Sequence, residues 1–283
     1  MRFNTALLHG DFRGDKKTGA TQTPVYQSSA FEHASAETLE KIFNNKAPGF
    51  SYSRISNPTV DAFERRMTAL EGGIASVSCA SGMAAITNAF TNILRSGDEI
   101  VCSASLYGGS IDLFRDLENF GIKTHYVENN NIEQFEAATN DNTRLYFAET
   151  IGNPRLDVTD IKLLSEAAHK AGVPLIVDNT VATAYLIKPI EYGADIVVNS
   201  TSKYVNGNSN SISGVITDSG NFKWDSVKYP GMKEYAKFGP YAYTAKLRNG
   251  IYRNTGACLS PQNAFYNILG IETLGLRMER ITD

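Results

Sequence analysis

From about residue 57 onward, short apolar runs and amphipathic stretches take turns along the chain. Runs at 75–79, 99–103, 123–127, 145–149, 175–178, 196–199 and 213–217 are rich in Val, Ile, Leu and Cys, and each is short enough to be one strand. Near-continuous apolar strands of this kind belong to a sheet covered on both sides. Between them, apolar positions recur at helical spacing. Phe63, Met67 and Leu70 follow the helix-start signal Asn57-Pro58-Thr59 and stop at Gly72-Gly73. Ala85, Ile86, Ala89, Phe90 and Ile93 mark a second helix, and further ones fall at 110–119, 132–138 and 160–171. The alternation predicts an α/β fold, a mostly parallel sheet with helices on both faces.

The ends of the chain follow different patterns. Residues 1–60 read as an irregular N-terminal arm, punctuated by Gly10, Gly14, Gly19, Pro24, Pro48, Gly49 and Pro58, with one helical patch at 36–44. Residues 61–258 form the α/β domain. In 259–283 an amphipathic pattern through Phe265, Ile268, Leu269, Leu274, Leu276 and Met278 opens a further layer, has no partner element elsewhere in the chain, and is expected to belong to a domain truncated at Asp283.

Composition narrows the function class. The 283 residues carry a formal net charge of −3 with both signs interspersed, which gives no basic face for nucleic acid or anionic lipid. No apolar run reaches the length of a membrane span, and the N-terminus has no secretory core. Cys79, Cys102 and Cys258 are odd in number and widely spaced, as free thiols in a reducing compartment would be. Four histidines without ligand spacing give no metal site. A cytoplasmic protein is expected.

The candidate chemistry lies where apolar strands end. The run 196–199 delivers the chain to Ser200, Ser202 and Lys203, and the run 175–178 delivers it to Asp178 and Thr180. An amine, a carboxylate and hydroxyls at strand ends occupy the ligand-binding edge of an open α/β sheet. They are also the groups that pyridoxal phosphate requires: an amine for its aldehyde, an acid for its ring nitrogen and hydroxyls for its phosphate. Ser81-Gly82-Met83 opens a helix after the first strand, where N–H groups and the helix dipole favour an anion. Tyr107 and Asn153 follow other strands on the same edge, the first suited to lie on a planar ring. Tyr52 and Arg54 lie in the arm, where a bidentate guanidinium and a phenol can reach a neighbouring subunit's phosphate.

With YSRISNPT (52–59), ASGMAAI (80–86), LYGGS (106–110), ETIGNPRLDV (149–158), VDNT (177–180) and STSKY (200–204) assembled, the chain resembles the Cys/Met-metabolism family of pyridoxal-phosphate enzymes over nearly its whole length. The resemblance implies the large domain of the fold type I transferases. It implies that Lys203 is the Schiff-base lysine and acid-base catalyst, that Asp178 partners the pyridine nitrogen, and that Ser200, Ser202, Gly82 and Met83 bind the phosphate. Tyr107 would stack on the ring and assist proton transfer, Asn153 would contact the phenolic oxygen and Thr180 the opposite face. Tyr52 and Arg54 would act across a subunit interface in a homotetramer, a dimer of dimers.

Within the family, 151–161, 220–265 and 270–281 are most similar to the O-acetylhomoserine sulfhydrylase branch. The implied activity is γ-replacement on O-acetyl-L-homoserine by sulfide or methanethiol. A γ-lyase of the methionine or cystathionine type, or a truncated cofactor-binding chain without full activity, are the alternatives. Gly109, where methionine γ-lyases resemble this region with a Cys, favours replacement. Two stretches depart from the family: Asn199 replaces a usual His, and Val205-Asn206-Gly207-Asn208 replaces a Gly-Gly-His pattern. Both are expected near the pocket. The family's substrate-carboxylate arginine matches no residue here.

Overall fold

A computed structural model of the chain describes residues 2–10, 15, 18–44 and 46–283; Gly14 of the arm lies outside them. Seven strands form one sheet: β1 (Ala75–Cys79), β2 (Glu99–Ser103), β3 (Lys123–Val127), β4 (Thr143–Glu149), β5 (Leu175–Asp178), β6 (Ile196–Asn199) and β7 (Gly214–Asp218), in the order β1-β7-β6-β5-β4-β2-β3. Neighbours from β6 through β3 pair in parallel, whereas β7 runs antiparallel to both β1 and β6. The mostly parallel α/β class is as expected; the reversal of β7 leaves no mark in the apolar run itself.

Side chains alternate across the sheet as strand geometry demands. Ile100, Cys102, Leu145, Phe147, Ile176, Ile196, Val198 and Ile216 enter one core, with the helices Gly82–Thr91 and Gly108–Glu118. There Phe90, Phe114 and Phe147 meet with ring centroids 5.1 to 5.7 Å apart. Val101, Tyr146, Ala148, Leu175, Val177 and Val197 enter the opposite core, under the helices Ile132–Ala138 and Ile161–Lys170. Val215 joins a third cluster on that side with Val60, Phe63, Met67, Ala264 and Ile268.

The first element of the domain is the helix Pro58–Glu71: the Asn57 side chain accepts the Thr59 N–H and Pro58 occupies the first turn. Inside it, Glu64 is buried, accepts from Ser78 N–H (2.7 Å) and Ser78 Oγ (3.0 Å), and pairs with Arg248, whose Nη2 also reaches Ser76 O at 2.8 Å. The ion pair ties the helix Ala242–Asn249 to the helix Pro58–Glu71, and the bond to Ser76 O ties it to β1.

Two local expectations are corrected, in the N-terminal arm and after Asn263. The arm holds a second helix, Phe3–His9, with Leu7 buried; one buried apolar position is too short a period to read. Residues 220–265 include a 3-10 stretch, Pro230–Tyr241, kinked at Gly239, and the helices Ala242–Asn249 and Ile251–Thr255. The pattern after Asn263 does have partners. It folds as the helices Pro261–Glu272 and Leu274–Thr282, whose Ala264, Ile268, Ile271, Leu274 and Met278 share the cluster of Phe63, Met67 and Leu7.

Candidate active site

The C-terminal ends of β4, β5 and β6 converge on a cavity of about 280 Å³. Nine of the eleven site residues expected from sequence line it: Gly82, Met83, Tyr107, Asn153, Asp178, Thr180, Ser200, Ser202 and Lys203. Ser81, Ile86, Glu149, Ile151, Val181 and Ile212 complete the wall. A larger cavity of about 530 Å³, between Phe3 and Tyr192, contains none of them.

Asp178 ends β5 and stands in register with Glu149 at the end of β4. Its Oδ1 accepts the Thr180 N–H at 2.8 Å. Burial raises its pKa to about 6, against the opposing hydrogen bonds from Thr180. Such an acid gains most from a cation beside it. Thr180 also uses its Oγ1 to accept the Ser200 N–H at 2.7 Å, tying the end of β5 to the start of the turn after β6. In that turn Lys203 is exposed, its N–H donating to Ser200 O at 3.1 Å, and its side chain reaches the same cavity as Asp178.

The opposite wall is the N-terminus of the helix Gly82–Thr91. Ser81 Oγ accepts the Ala84 N–H at 3.0 Å and Ser81 O accepts the Ala85 N–H at 3.0 Å. The two preceding first-turn donors, Gly82 and Met83 N–H, have no i−4 carbonyl and stand at the cavity edge. Gly82 approaches Ser200 so closely that a β-carbon there would lie 2.8 Å from Ser200 Oγ. Ser202 Oγ accepts the Ser213 N–H (2.8 Å) and donates to Ser213 O (3.0 Å), so its proton is already engaged.

These features fit pyridoxal phosphate. A buried acid that a cation would satisfy, an accessible amine, and a helix N-terminus with hydroxyls beside it match the ring nitrogen, the aldehyde and the phosphate of that molecule. Whole-chain comparison decides the matter. The Cys/Met metabolism PLP-dependent enzyme family matches residues 4–283.

The chain belongs to this family.

Among relatives of this Cys/Met metabolism enzyme, an O-acetyl-L-homoserine sulfhydrylase of Corynebacterium glutamicum is 43% identical over 98% of the chain, which spans 67% of that relative. A protein of the same name from Leptospira meyeri is 40% identical over 98% of the chain and 67% of its own length. A homocysteine synthase of Schizosaccharomyces pombe is 38% identical, covering 98% and 68%. The fold also superposes on a solved Campylobacter jejuni protein described as an O-acetylhomoserine (thiol)-lyase, with TM-score 0.93 and 31% identity over 98% of this chain and 72% of that one. That structure carries an N'-pyridoxyl-lysine-5'-monophosphate.

Tyr52 and Arg54 are not in the cavity. They line a separate depression with Arg253, whose carbonyl accepts from Arg54 Nη1 at 2.5 Å, and the Arg54 guanidinium lies 5.4 Å from the Tyr52 ring centroid. The two departures from the family lie off the cavity wall, close in the chain to the lining residues Ser200 and Lys203. Asn199 is buried and its Nδ2 donates to Glu71 Oε1 at 2.8 Å; Glu71 lies within the core and its pKa rises to about 7, chiefly by burial. Asn206 is buried and organises the next loop, accepting from Asn208 N–H at 3.0 Å and donating to Asn210 Oδ1 at 2.9 Å. Both positions build the frame behind the site.

Sequence reasoning missed Glu149 as a functional residue. Its carboxyl accepts the Tyr107 N–H at 2.6 Å and the Asn153 N–H at 3.2 Å, and its pKa rises to about 8 through burial and then the charge of Asp178. An acid ending the apolar run 145–149 was the available signal. Among the described residues no helix is long and apolar enough to cross a membrane.

Proposed function

We propose that the chain catalyses pyridoxal-phosphate-dependent γ-replacement on O-acetyl-L-homoserine, exchanging acetate for sulfide or methanethiol to give homocysteine or methionine. The observation that carries this reading is that Asp178 and Lys203 open on one cavity walled by the N-terminus of the helix Gly82–Thr91. Lys203 would hold the cofactor covalently, and Asp178 would keep a proton on its ring nitrogen. Ser200, Ser202 and the N–H groups of Gly82 and Met83 take the phosphate. For Ser202 this means releasing the proton now given to Ser213 O. Tyr107 would lie on the ring, Asn153 would contact the phenolic oxygen, and Thr180 would support the other face.

When bound, pyridoxal phosphate supplies an electron sink conjugated to the substrate's Cα. Lys203, the amine in the cavity, takes the proton from Cα and, with Tyr107, moves the proton at Cβ. Over a turnover one C–O bond at Cγ breaks to release acetate, one C–S bond forms there, and both carbon-bound protons are restored. The sulfhydrylase and homocysteine synthase relatives support replacement over elimination, as does Gly109 beside Tyr107.

The same reading makes the protein a cytoplasmic homotetramer, with Tyr52 and Arg54 completing the neighbouring subunit's phosphate site. Residues 1–60 act as the reaching arm, 61–258 as the cofactor-binding domain and 259–283 as the opening of a further layer. The test is homocysteine formation from O-acetyl-L-homoserine and sulfide by chain titrated with pyridoxal phosphate. Lys203→Ala should lower turnover by about a thousandfold or more and abolish the bound-cofactor absorbance. Retained turnover in that variant overturns the assignment, and ammonia with a 2-oxoacid in place of homocysteine redirects it to a lyase.

A further inference from the structure

Glu149 is the buried acid of the cavity wall to which the reaction assigns no proton. It terminates β4 at the cavity and is 5% exposed, and both carboxylate oxygens are committed to main chain. Oε1 accepts the Tyr107 N–H (2.6 Å), and Oε2 accepts the Asn153 N–H (3.2 Å). These donors belong to different loops. Tyr107 follows β2 and precedes the helix Gly108–Glu118, to which it offers no side-chain cap; Asn153 lies in the loop after β4 itself. The acid's own backbone is held in turn, because Thr159 Oγ1 donates to Glu149 O at 2.7 Å. One carboxyl thus fastens together the two loops whose side chains are assigned above to one face of the cofactor ring and to its phenolic oxygen.

We infer that Glu149 is a positioning residue, a clamp that fixes Tyr107 and Asn153 at the spacing that seats the ring. The inference rests on the reading of this cavity as the pyridoxal-phosphate site. A role as general base is disfavoured by geometry, since each oxygen already accepts a hydrogen bond from a main-chain N–H. Electrostatics point the same way. Burial and the charge of Asp178 push this acid up to about 8, while the two N–H bonds oppose the rise. A cation seated on Asp178 would cancel the second cause, so that filling the site favours the ionised clamp, the better acceptor. Ring binding and loop locking would then reinforce each other.

The experiment uses the whole chain and two variants, Glu149→Gln and Glu149→Asp. Glutamine keeps the shape and one acceptor but turns an NH2 group against one of the N–H donors; aspartate keeps the charge one methylene short. In cofactor-free protein, hydrogen exchange read on peptides spanning 105–108 and 151–154 should quicken about tenfold in Glu149→Gln, with the melting temperature unchanged. Titration with pyridoxal phosphate should show a dissociation constant raised about tenfold. Turnover should fall through kcat more than through KM, with partial recovery in Glu149→Asp.

Wild-type exchange and affinity in Glu149→Gln overturn the inference. So does a lowered melting temperature with faster exchange everywhere, which marks a purely structural acid. Wild-type chain that takes up no pyridoxal phosphate overturns both this inference and the reading beneath it. Wild-type chain that binds the cofactor yet makes no homocysteine defeats only the substrate assignment, and the exchange and affinity data still decide on Glu149.

Discussion

A β-carbon placed on Gly109 would lie 2.5 Å from Cε1 of Tyr107. The ring of Tyr107 is half-exposed over the cavity mouth, and it keeps that position only because residue 109 has no side chain. Gly109→Ala should therefore rotate the ring away. Gly109 stands in the first turn of the helix Gly108–Glu118, where alanine gains less than the roughly 0.5–1 kcal/mol it brings to a helix interior. The expected signature is a melting temperature unchanged or slightly higher, with kcat/KM for sulfide and O-acetyl-L-homoserine about tenfold lower. Unaltered kinetics would show that the ring position seen here plays no part in turnover.

Four buried acids make the cofactor-free chain sensitive to pH in an unusual direction. Burial is the first cause in each: Asp178 rises to about 6, Glu71 and Asp218 to about 7, and Glu149 to about 8. An acid whose folded pKa exceeds its unfolded one holds its proton more tightly when folded. Its stabilising contribution is then present at low pH and fades as pH climbs to the folded value. Thermal melting of the cofactor-free chain should fall steadily from pH 5 to pH 8. Glu71→Gln should shallow that slope by about one proton between the ordinary value and about 7. A melting temperature that rises over this range contradicts the burial of these groups.

The pairing of Glu64 with Arg248 joins residues far apart in sequence inside the core. Arg248→Met leaves the buried carboxylate with only Ser78 and removes the bond to Ser76 O. The loss should be about 3 kcal/mol, the range for a buried charge stripped of its partner. Urea denaturation followed by circular dichroism measures it, and a change below about 1 kcal/mol would place this pair with ordinary surface bridges.

Arg54 lies outside the cavity that holds Lys203. If it serves a neighbour's site, Arg54→Ala and Lys203→Ala are each impaired alone, yet mixed after gentle dissociation they assemble some sites with both wild-type groups. About a quarter of wild-type activity should return at equal mixing. No recovery in verified hybrids contradicts action across an interface.

The sequence announced β2, β4, β5 and β6 because they are buried along almost their whole length, and a buried parallel strand has few polar positions to confuse its reading. It announced Asp178, Ser200 and Lys203 for the same reason: they are the first polar groups after such runs. What stayed hidden depends on contacts distant in sequence. The antiparallel course of β7, the seat of Pro261–Glu272 on Pro58–Glu71 and the Glu64–Arg248 pair are tertiary facts without local signature. Glu149 escaped notice because its partners are N–H groups, which every residue but proline carries. Asn199 and Asn206 were placed near the pocket by their position in the chain, whereas their amides turn inward to Glu71 and to the 206–210 loop.

Because β7 runs against its neighbours, it meets the catalytic rim at its beginning, and the rim there is finished by peptide groups. Ser213 gives Ser202 both an N–H and a carbonyl, so the hydroxyl is aimed by the polypeptide itself. That border is written in a part of the molecule common to all amino acids, while the Ser213 hydroxyl is committed elsewhere, accepting from Thr201 Oγ1 at 2.7 Å and Asn267 Nδ2 at 2.8 Å.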